Sequence, residues 1–349
     1  RCPVTRDVLA PVTPECLAET NRRIASGVLR RRDGALLTGR IDGGLINADR
    51  RILYPVEDDI VVLLPGASIS LDGVGHEAQG GLRSEKRSVQ EFYEDTGWRR
   101  GPDGRFIDSS RFEDLRPVSA SYRRRCRSRV GRYLRPGGEF LLDAGCGPAQ
   151  CLDDSQGFDT RICVDLSRTA LLEAKRRLGS RGLYLLADVA DLPLADDSVD
   201  AAISLHVLQH LPPDEQGAAL RELHRVLKPD RRAVAVYSWG YRSFLMNTAT
   251  LPYHLARAVW KSMVPGPVGQ ARKKLYFKTF GYRWFAGQRW GFPLDILSWR
   301  SLSTPFLKIY IHHGLGGEKL LDIVYGLEDR FPRLMGVLGH YPMFVINKS

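Results

Sequence analysis

Between residues 115 and 239, helical and strand patterns alternate in a way that leaves few choices of architecture. Apolar runs at 139–143, 161–165, 183–188, 199–204 and 232–237 read as strands, and 119–134, 169–178 and 216–227 carry helical spacing. In the second helix Ala170, Leu171, Ala174 and Leu178 fall on one face. Strands separated by helices of this length cannot pair as hairpins. Right-handed crossovers lay them side by side as a parallel sheet, so the predicted class is α/β.

The ends of those strands carry the chemistry. Directly after the first comes Asp143-Ala144-Gly145-Cys146-Gly147-Pro148-Ala149. Glycines there let the backbone turn tightly and approach a ligand with no Cβ in the way. A following helix would aim free N–H groups at that ligand. Asp165, eighteen residues past Gly147, ends the second strand, where a carboxylate is placed to accept from two ribose hydroxyls. Asp188 ends the third strand, where it could meet an adenine amine, and the fourth runs into Ser204-Leu205-His206-Val207. The dinucleotide fingerprint G-x-G-x-x-G is not met, because position 150 is Gln. The order of the set carries the argument: each member sits at a strand C-terminus, where open α/β sheets bind ligands.

With these motifs in place, residues 137–239 resemble the class I S-adenosylmethionine-dependent methyltransferases of the ubiquinone-methyltransferase-like group. Asp143-Ala144-Gly145-Cys146-Gly147 resembles motif I, and Val164-Asp165-Leu166-Ser167 the acidic ribose loop. The stretch 187–193 is similar to the adenine segment, 197–204 to the fourth strand and 223–229 to the helix before the fifth. Ala149 departs from a third glycine that many members have. The resemblance implies S-adenosyl-L-methionine as cofactor, held by Asp143, Gly145, Cys146, Gly147, Asp165, Leu166, Asp188, Val189, Ser204 and His206. Residues 89–94 are similar to an N-terminal segment whose tyrosine approaches the cofactor, which adds Tyr93. The end of the chain resembles the last helix and the sixth and seventh strands, implying a Rossmann-like, mostly parallel seven-stranded sheet.

A sulfonium methyl is already activated, so such an enzyme must align an acceptor in line with the S–CH₃ bond and, where needed, remove its proton. His206, just past the fourth strand, is a candidate general base or a wall of the cofactor pocket. His210, one helical turn on, is the second candidate base, although the resemblance implies a local structural bond for it. His312 and His313 are weaker candidates from the C-terminal region.

Flanking regions differ in texture. Residues 1–66 hold short apolar stretches broken by turns and read as a β-rich module. They resemble the Trm112-like module, which carries zinc in some relatives. Here Thr5 stands where the second cysteine of a CPxC pair would be, and Cys16 is isolated, so no metal site is expected. The Gly- and Ser-rich stretch 66–90 reads as a loop, and 67–115 as a linker and N-terminal cap. The methyltransferase domain is expected over 116–349. Aromatics recur between 240 and 310, where the resemblance implies an insertion that caps the acceptor; they could line an apolar or sugar-binding pocket or pack a helical lid.

Composition bears on partners. No apolar run approaches a bilayer span, and six cysteines without a CxxC pair fit a reduced, cytoplasmic compartment. A net charge of +11, with Arg123, Arg124, Arg125, Arg127, Arg129 and Arg132 clustered before motif I, leaves a nucleic-acid partner open. Only Arg125, Arg129 and Arg132 share a helix face, so a solvated surface is favoured. No NPPY-type segment follows the fourth strand, which speaks against a nucleobase nitrogen. The expected reaction is methyl transfer to oxygen or nitrogen of a small-molecule acceptor (a secondary metabolite, sugar or lipid-like compound). The alternative is an RNA or protein methyltransferase of the translation apparatus.

Overall fold

The structure, a computed structural model, describes residues 1–71, 81–102, 104–150, 156–263 and 275–349. Its strands are β1 (Ala10–Pro11), β2 (Gly43–Ile46), β3 (Ile52–Glu57), β4 (Ile60–Val62), β5 (Ile69–Ser70), β6 (Gly138–Ala144), β7 (Phe158–Asp165), β8 (Gly182–Leu186), β9 (Val199–Leu205), β10 (Leu227–Val236), β11 (Leu294–Arg300) and β12 (Tyr341–Asn347). The helices are α1 (Pro14–Ala25), α2 (Ser84–Phe92), α3 (Ile107–Phe112), α4 (Ala120–Tyr133), α5 (Arg168–Leu178), α6 (Pro213–Val226), α7 (Phe244–Met263), α8 (Tyr282–Ala286), α9 (Thr304–Tyr310), α10 (Gly317–Arg330) and α11 (Pro332–Leu338).

Seven strands in the order β8-β7-β6-β9-β10-β12-β11 form the Rossmann-like sheet. The first five are parallel, and β12 and β11 close the edge antiparallel. Strands β6, β9 and β10 are buried over much of their length because helices cover both faces, which is why they read as continuous apolar runs. On one face α6 supplies Leu220, Leu223 and Val226; on the other α4 and α10 supply Tyr122, Cys126, Val130 and Leu321. The strand order reverses between β7-β6 and β9, so a crevice opens at the C-terminal ends of these strands.

Three features differ from the sequence reading. The N-terminal strands continue the main sheet, with β4 parallel to β8 through Ile60–Tyr184, Val61–Leu185 and Val62–Leu186. The stretch read as a loop to residue 90 contains α2, whose Lys86 and Phe92 are buried; its polar composition hid a narrow inward face. Residues 72–80 of that stretch, Cys151, and Arg272, Lys273 and Lys274 lie outside the described residues. The aromatic-rich region, expected as a helical lid, also includes β11, an edge strand paired with β12. Many of its rings are core, Phe285 packing on Tyr237, Trp239 and Phe344 at 4.6–5.8 Å between centroids.

The arginine-rich helix α4 keeps a solvated side, on which Arg124, Arg127 and Arg132 are exposed, while five of its six arginines are engaged within the protein. Its Arg125–Arg129–Arg132 side clasps Tyr325 of α10, the Arg125 and Arg129 guanidinium groups lying 4.4 and 4.0 Å from the ring centroid. Arg123 and Arg127 pair with Glu113 at 3.3 and 2.7 Å.

Candidate active site

A cavity of about 220 Å³ occupies the crevice where the strand order reverses. Its floor is the turn after β6. Gly145 and Gly147 have φ of +78° and +51°, and a Cβ at either would meet Val207 at 2.2 Å or Trp98 at 2.8 Å. Both the backbone angle and the space therefore demand glycine. The turn is tied to β7 by Gly145 and Cys146 N–H groups donating to the Val164 carbonyl at 2.7 and 3.1 Å. Cys146 donates its thiol to the Gly147 carbonyl at 3.1 Å, and burial pushes the thiol pKa well up, so it stays protonated.

Asp165 faces the cavity at the end of β7 and accepts from the N–H groups of Gly147 and Ser167, both at 2.8 Å. Burial raises its pKa to about 6, against those two hydrogen bonds, which pull it down; Asp143 and Glu94 add to the rise. Asp143 receives Arg161 Nε and Nη2 at 3.0 and 2.5 Å, so its carboxylate is neutralised beneath the glycine turn. Burial works against the Arg161 charge, and Asp143 more than offsets it.

The segment 84–98 forms the opposite wall and is pinned in two places. Gln90 donates to the Leu166 carbonyl at 2.8 Å, and Glu94 accepts from Arg168 N–H at 2.5 Å at the start of α5. These anchors hold Tyr93 in a wide helical turn, stacked on Trp98 at 4.8 Å. The Tyr93 hydroxyl is hydrogen-bonded to Asp108 and, through burial first, held neutral. Trp98 Nε1 is buried without a hydrogen-bond partner and belongs to the cavity lining. A buried donor left in that state is what a bound polar group would satisfy.

His206, His210, Val130, Arg127 and Trp299 also line the cavity. His206 has φ +63°, a conformation that costs a non-glycine residue about 1–3 kcal/mol. It is held there by its N–H to the Val236 carbonyl at 2.9 Å and by Gln209 Nε2 to its own carbonyl at 2.7 Å. Its ring lies edge-on to Trp299 and Tyr341 at 4.9 and 5.3 Å. Burial, and then the nearby Arg300 charge, lower its pKa to about 3. His210 is different. Its Nδ1 lies 2.8 Å from the Tyr276 carbonyl, which can only accept, so Nδ1 carries the proton and Nε2 the lone pair. Burial lowers its pKa while the Tyr276 bond pulls the other way. This partner is sixty-six residues away, not local as the resemblance implied.

Of the residues expected at the cofactor, Tyr93, Asp143, Gly145, Cys146, Gly147, Asp165, Leu166, Val189 and His206 line the cavity. Two do not. Asp188 is occupied by Ala190 N–H at 2.9 Å and by Lys86. Ser204 donates to the Ala144 carbonyl at 2.9 Å and is buried behind the glycine turn. His312 and His313, just after α9, are exposed, bond to Ile309 and Glu318, and do not line the cavity. The sequence reading missed Lys86, Trp98, Glu113 and Trp299. Lys86, with its side chain 5% exposed, bridges Asp188 and Glu215 and lines the cavity. The helical spacing of Lys86, Val89 and Phe92 was the signal available for α2. Of region 240–310, Trp299 alone among the described residues lines the cavity.

The cavity fits S-adenosylmethionine on its own features: a glycine cradle that a Cβ would fill, a carboxylate at the end of β7, and the orphaned Trp98 donor. Residues 142–235 match the family described as a methyltransferase domain. The chain is 36% identical over 121 residues to Methyltransferase GfsG of Streptomyces halstedii, covering 32% of this chain and 42% of that protein. It thus spans less than half the length of that relative. It is 30% identical over 214 residues to O-methyltransferase cnsE of Penicillium expansum, covering 57% of this chain and 71% of that protein. Among solved structures it is similar to geranyl diphosphate C-methyltransferase from Streptomyces coelicolor A3(2), at 14% identity and TM-score 0.45, over 77% of this chain and all of that one. By sequence match and sheet order together, the chain belongs to the S-adenosylmethionine-dependent methyltransferases of the methyltransferase-domain family.

Proposed function

We propose that this protein transfers a methyl group from S-adenosylmethionine to oxygen or nitrogen of a small-molecule acceptor (a secondary metabolite, sugar or lipid-like compound), with His210 taking the acceptor proton. The observation that carries this reading is one cavity lined by both Asp165, at the end of β7, and His210, whose Nδ1 bond to the Tyr276 carbonyl leaves the lone pair on Nε2. The cofactor, when bound, supplies an electrophilic methyl. Everything else falls to the chain. Asp165 and the Gly145–Gly147 turn bind and orient, Tyr93 and Trp98 cover the turn and exclude water, and Nε2 of His210 accepts a proton while Nδ1 keeps its bond to Tyr276.

His206 has the other role weighed for it. With its pKa near 3 and Arg300 disfavouring a second charge, it serves as a neutral wall of the pocket. The reading of an RNA or translation-factor substrate loses support, because five of the six arginines of α4 are engaged with Tyr325, Glu113 and the acids of α10.

Two measurements test the cofactor half. Calorimetry should show S-adenosylmethionine binding that weakens at least about tenfold in Asp165→Ala, since hydrogen bonds to a charged group contribute about 1.5–3 kcal/mol. Absence of binding by the wild type would sink the enzyme reading. The pH profile has a definite sign. Asp165 has a raised pKa, so the unliganded site holds a proton below about 6. Hydroxyl donors and a cation favour the ionised form, so affinity should fall as pH drops from 7.5 to 5. The Asp165→Asn protein should lose that slope; an unchanged slope would remove Asp165 from the role. The acceptor half is tested by a tritiated-methyl screen of hydroxylated and amine compounds.

A further inference from the structure

The charge of the chain is very unevenly distributed. Residues 231–294 contain eleven Lys and Arg and no Asp or Glu, so the remaining 285 residues carry 40 of each sign. The whole net charge of +11 therefore belongs to one acid-free stretch. Within it, Arg242, Arg257, Lys278, Arg283 and Arg289 are exposed. The ion pairs formed among the described residues include none of these five.

The same stretch carries α7. Met246 and Thr250 fix its first half to the body, and Tyr310 donates to the Ala249 carbonyl at 2.7 Å. From 251 to 259 every residue is exposed. Phe244 (82% exposed), Leu251 (50%) and Leu255 (58%) fall at spacings of seven and four and form one stripe along the helix. The apolar and basic groups adjoin: Arg242 Nε donates to the Thr279 carbonyl at 3.2 Å, and a Cβ on Gly240 would touch Phe277 at 3.1 Å. Phe277 is itself 40% exposed, and its ring lies 5.8 Å from His210, so this face borders the candidate active site.

We propose that this face docks on an anionic lipid surface, with α7 lying in the headgroup region and the flanking Lys and Arg over acidic headgroups. A helix with exposed large apolar side chains beside unpaired cations is the combination that binds such an interface. No described helix is long and apolar enough to cross the bilayer, so the contact is peripheral. A second copy of the chain fits poorly, because this stretch supplies no acidic residue to meet its own cations, and the acids beside Tyr276, Glu85 and Asp214, are paired with Arg83. A nucleic acid would pair with the cations but leave Phe244, Leu251 and Leu255 in water. The proposal does not rest on the methyl acceptor: loss of cofactor binding would sink the enzyme reading and leave this one standing.

The test is flotation of the full chain with vesicles of phosphatidylcholine plus phosphatidylglycerol, against phosphatidylcholine alone. Binding is expected to the anionic vesicles and to weaken with added salt. Leu251→Ser/Leu255→Ser and Lys278→Glu/Arg283→Glu should each lower the bound-to-free ratio at least about tenfold. Both should keep wild-type circular dichroism and S-adenosylmethionine affinity, which separates docking from folding. Wild-type protein that does not float, or floats equally after both changes, overturns the proposal. So does a dimer in sedimentation velocity that Leu251→Ser/Leu255→Ser converts to monomer, or binding to RNA in place of vesicles.

Discussion

Replacing His210 by Ala should lower turnover about 10²–10⁴-fold, the range a positioned general base contributes, while S-adenosylmethionine affinity stays within a few-fold of wild type. The asymmetry between the two histidines sets this expectation. A base must have its lone pair in the cavity and tolerate a positive charge once protonated. His210 meets both demands: the Tyr276 carbonyl fixes the tautomer and stabilises the imidazolium through a charge-assisted bond. His206 fails the second, because burial and the Arg300 charge hold it neutral down to about pH 3. His206→Ala should therefore cost much less in kcat. Measured at saturating S-adenosylmethionine, which masks the Asp165 titration, the acidic limb of the acceptor kcat/KM profile should disappear in His210→Ala and persist in His206→Ala. A loss below tenfold in His210→Ala, with the limb intact, would transfer the role elsewhere. Because the His210 ring also meets Tyr93 at 6.2 Å, the cofactor affinity is the control that separates lost chemistry from a collapsed wall.

The sequence reveals some of this site and hides the rest, for a physical reason. Gly145, Gly147 and Asp165 could be read because local rules force them: a turn with positive φ and a carboxylate at a strand end each leave a mark within a few residues. The parallel pairing was equally accessible, since alternation with helices admits one connection rule. The residues that close the cavity are of another kind. Trp98 and Lys86 reach it from helical turns before motif I, and Trp299 from an edge strand more than 150 residues after it. Their spacing along the chain carries no common period. His210 shows the same limit: its position was legible, but its tautomer depends on a carbonyl sixty-six residues away. The N-terminal strands read as β-rich from their own pattern, while their continuity with the main sheet depends on β4 finding β8.

The α4 arginines carry this logic into stability, where Arg129→Ala should destabilise the fold by about 3–5 kcal/mol. Arg129 is 2% exposed and Glu328 1%. Its Nη1 reaches Glu328 at 2.5 Å and the Trp299 carbonyl at 2.8 Å, its Nε reaches Asp329 at 3.0 Å, and its Nη2 the Tyr325 carbonyl at 3.2 Å. Glu328 in turn accepts from the Tyr122 hydroxyl and the Ser301 N–H, both at 2.6 Å. Burial opposes the Arg129 charge, and Glu328 more than offsets it. Deleting the arginine leaves a carboxylate in a dry interior, and that uncompensated charge makes the cost large. Arg129→Met with Glu328→Gln removes both charges and should recover most of the loss, because an uncharged pair of similar volume avoids the desolvation penalty. Thermal or denaturant unfolding measures both; a single-variant loss under about 1 kcal/mol would mean water reaches the pair. The network ends at Trp299, whose ring meets His206 at 4.9 Å. Arg129→Ala should therefore also lower kcat/KM, since the bond it breaks holds Trp299, one wall of the cavity.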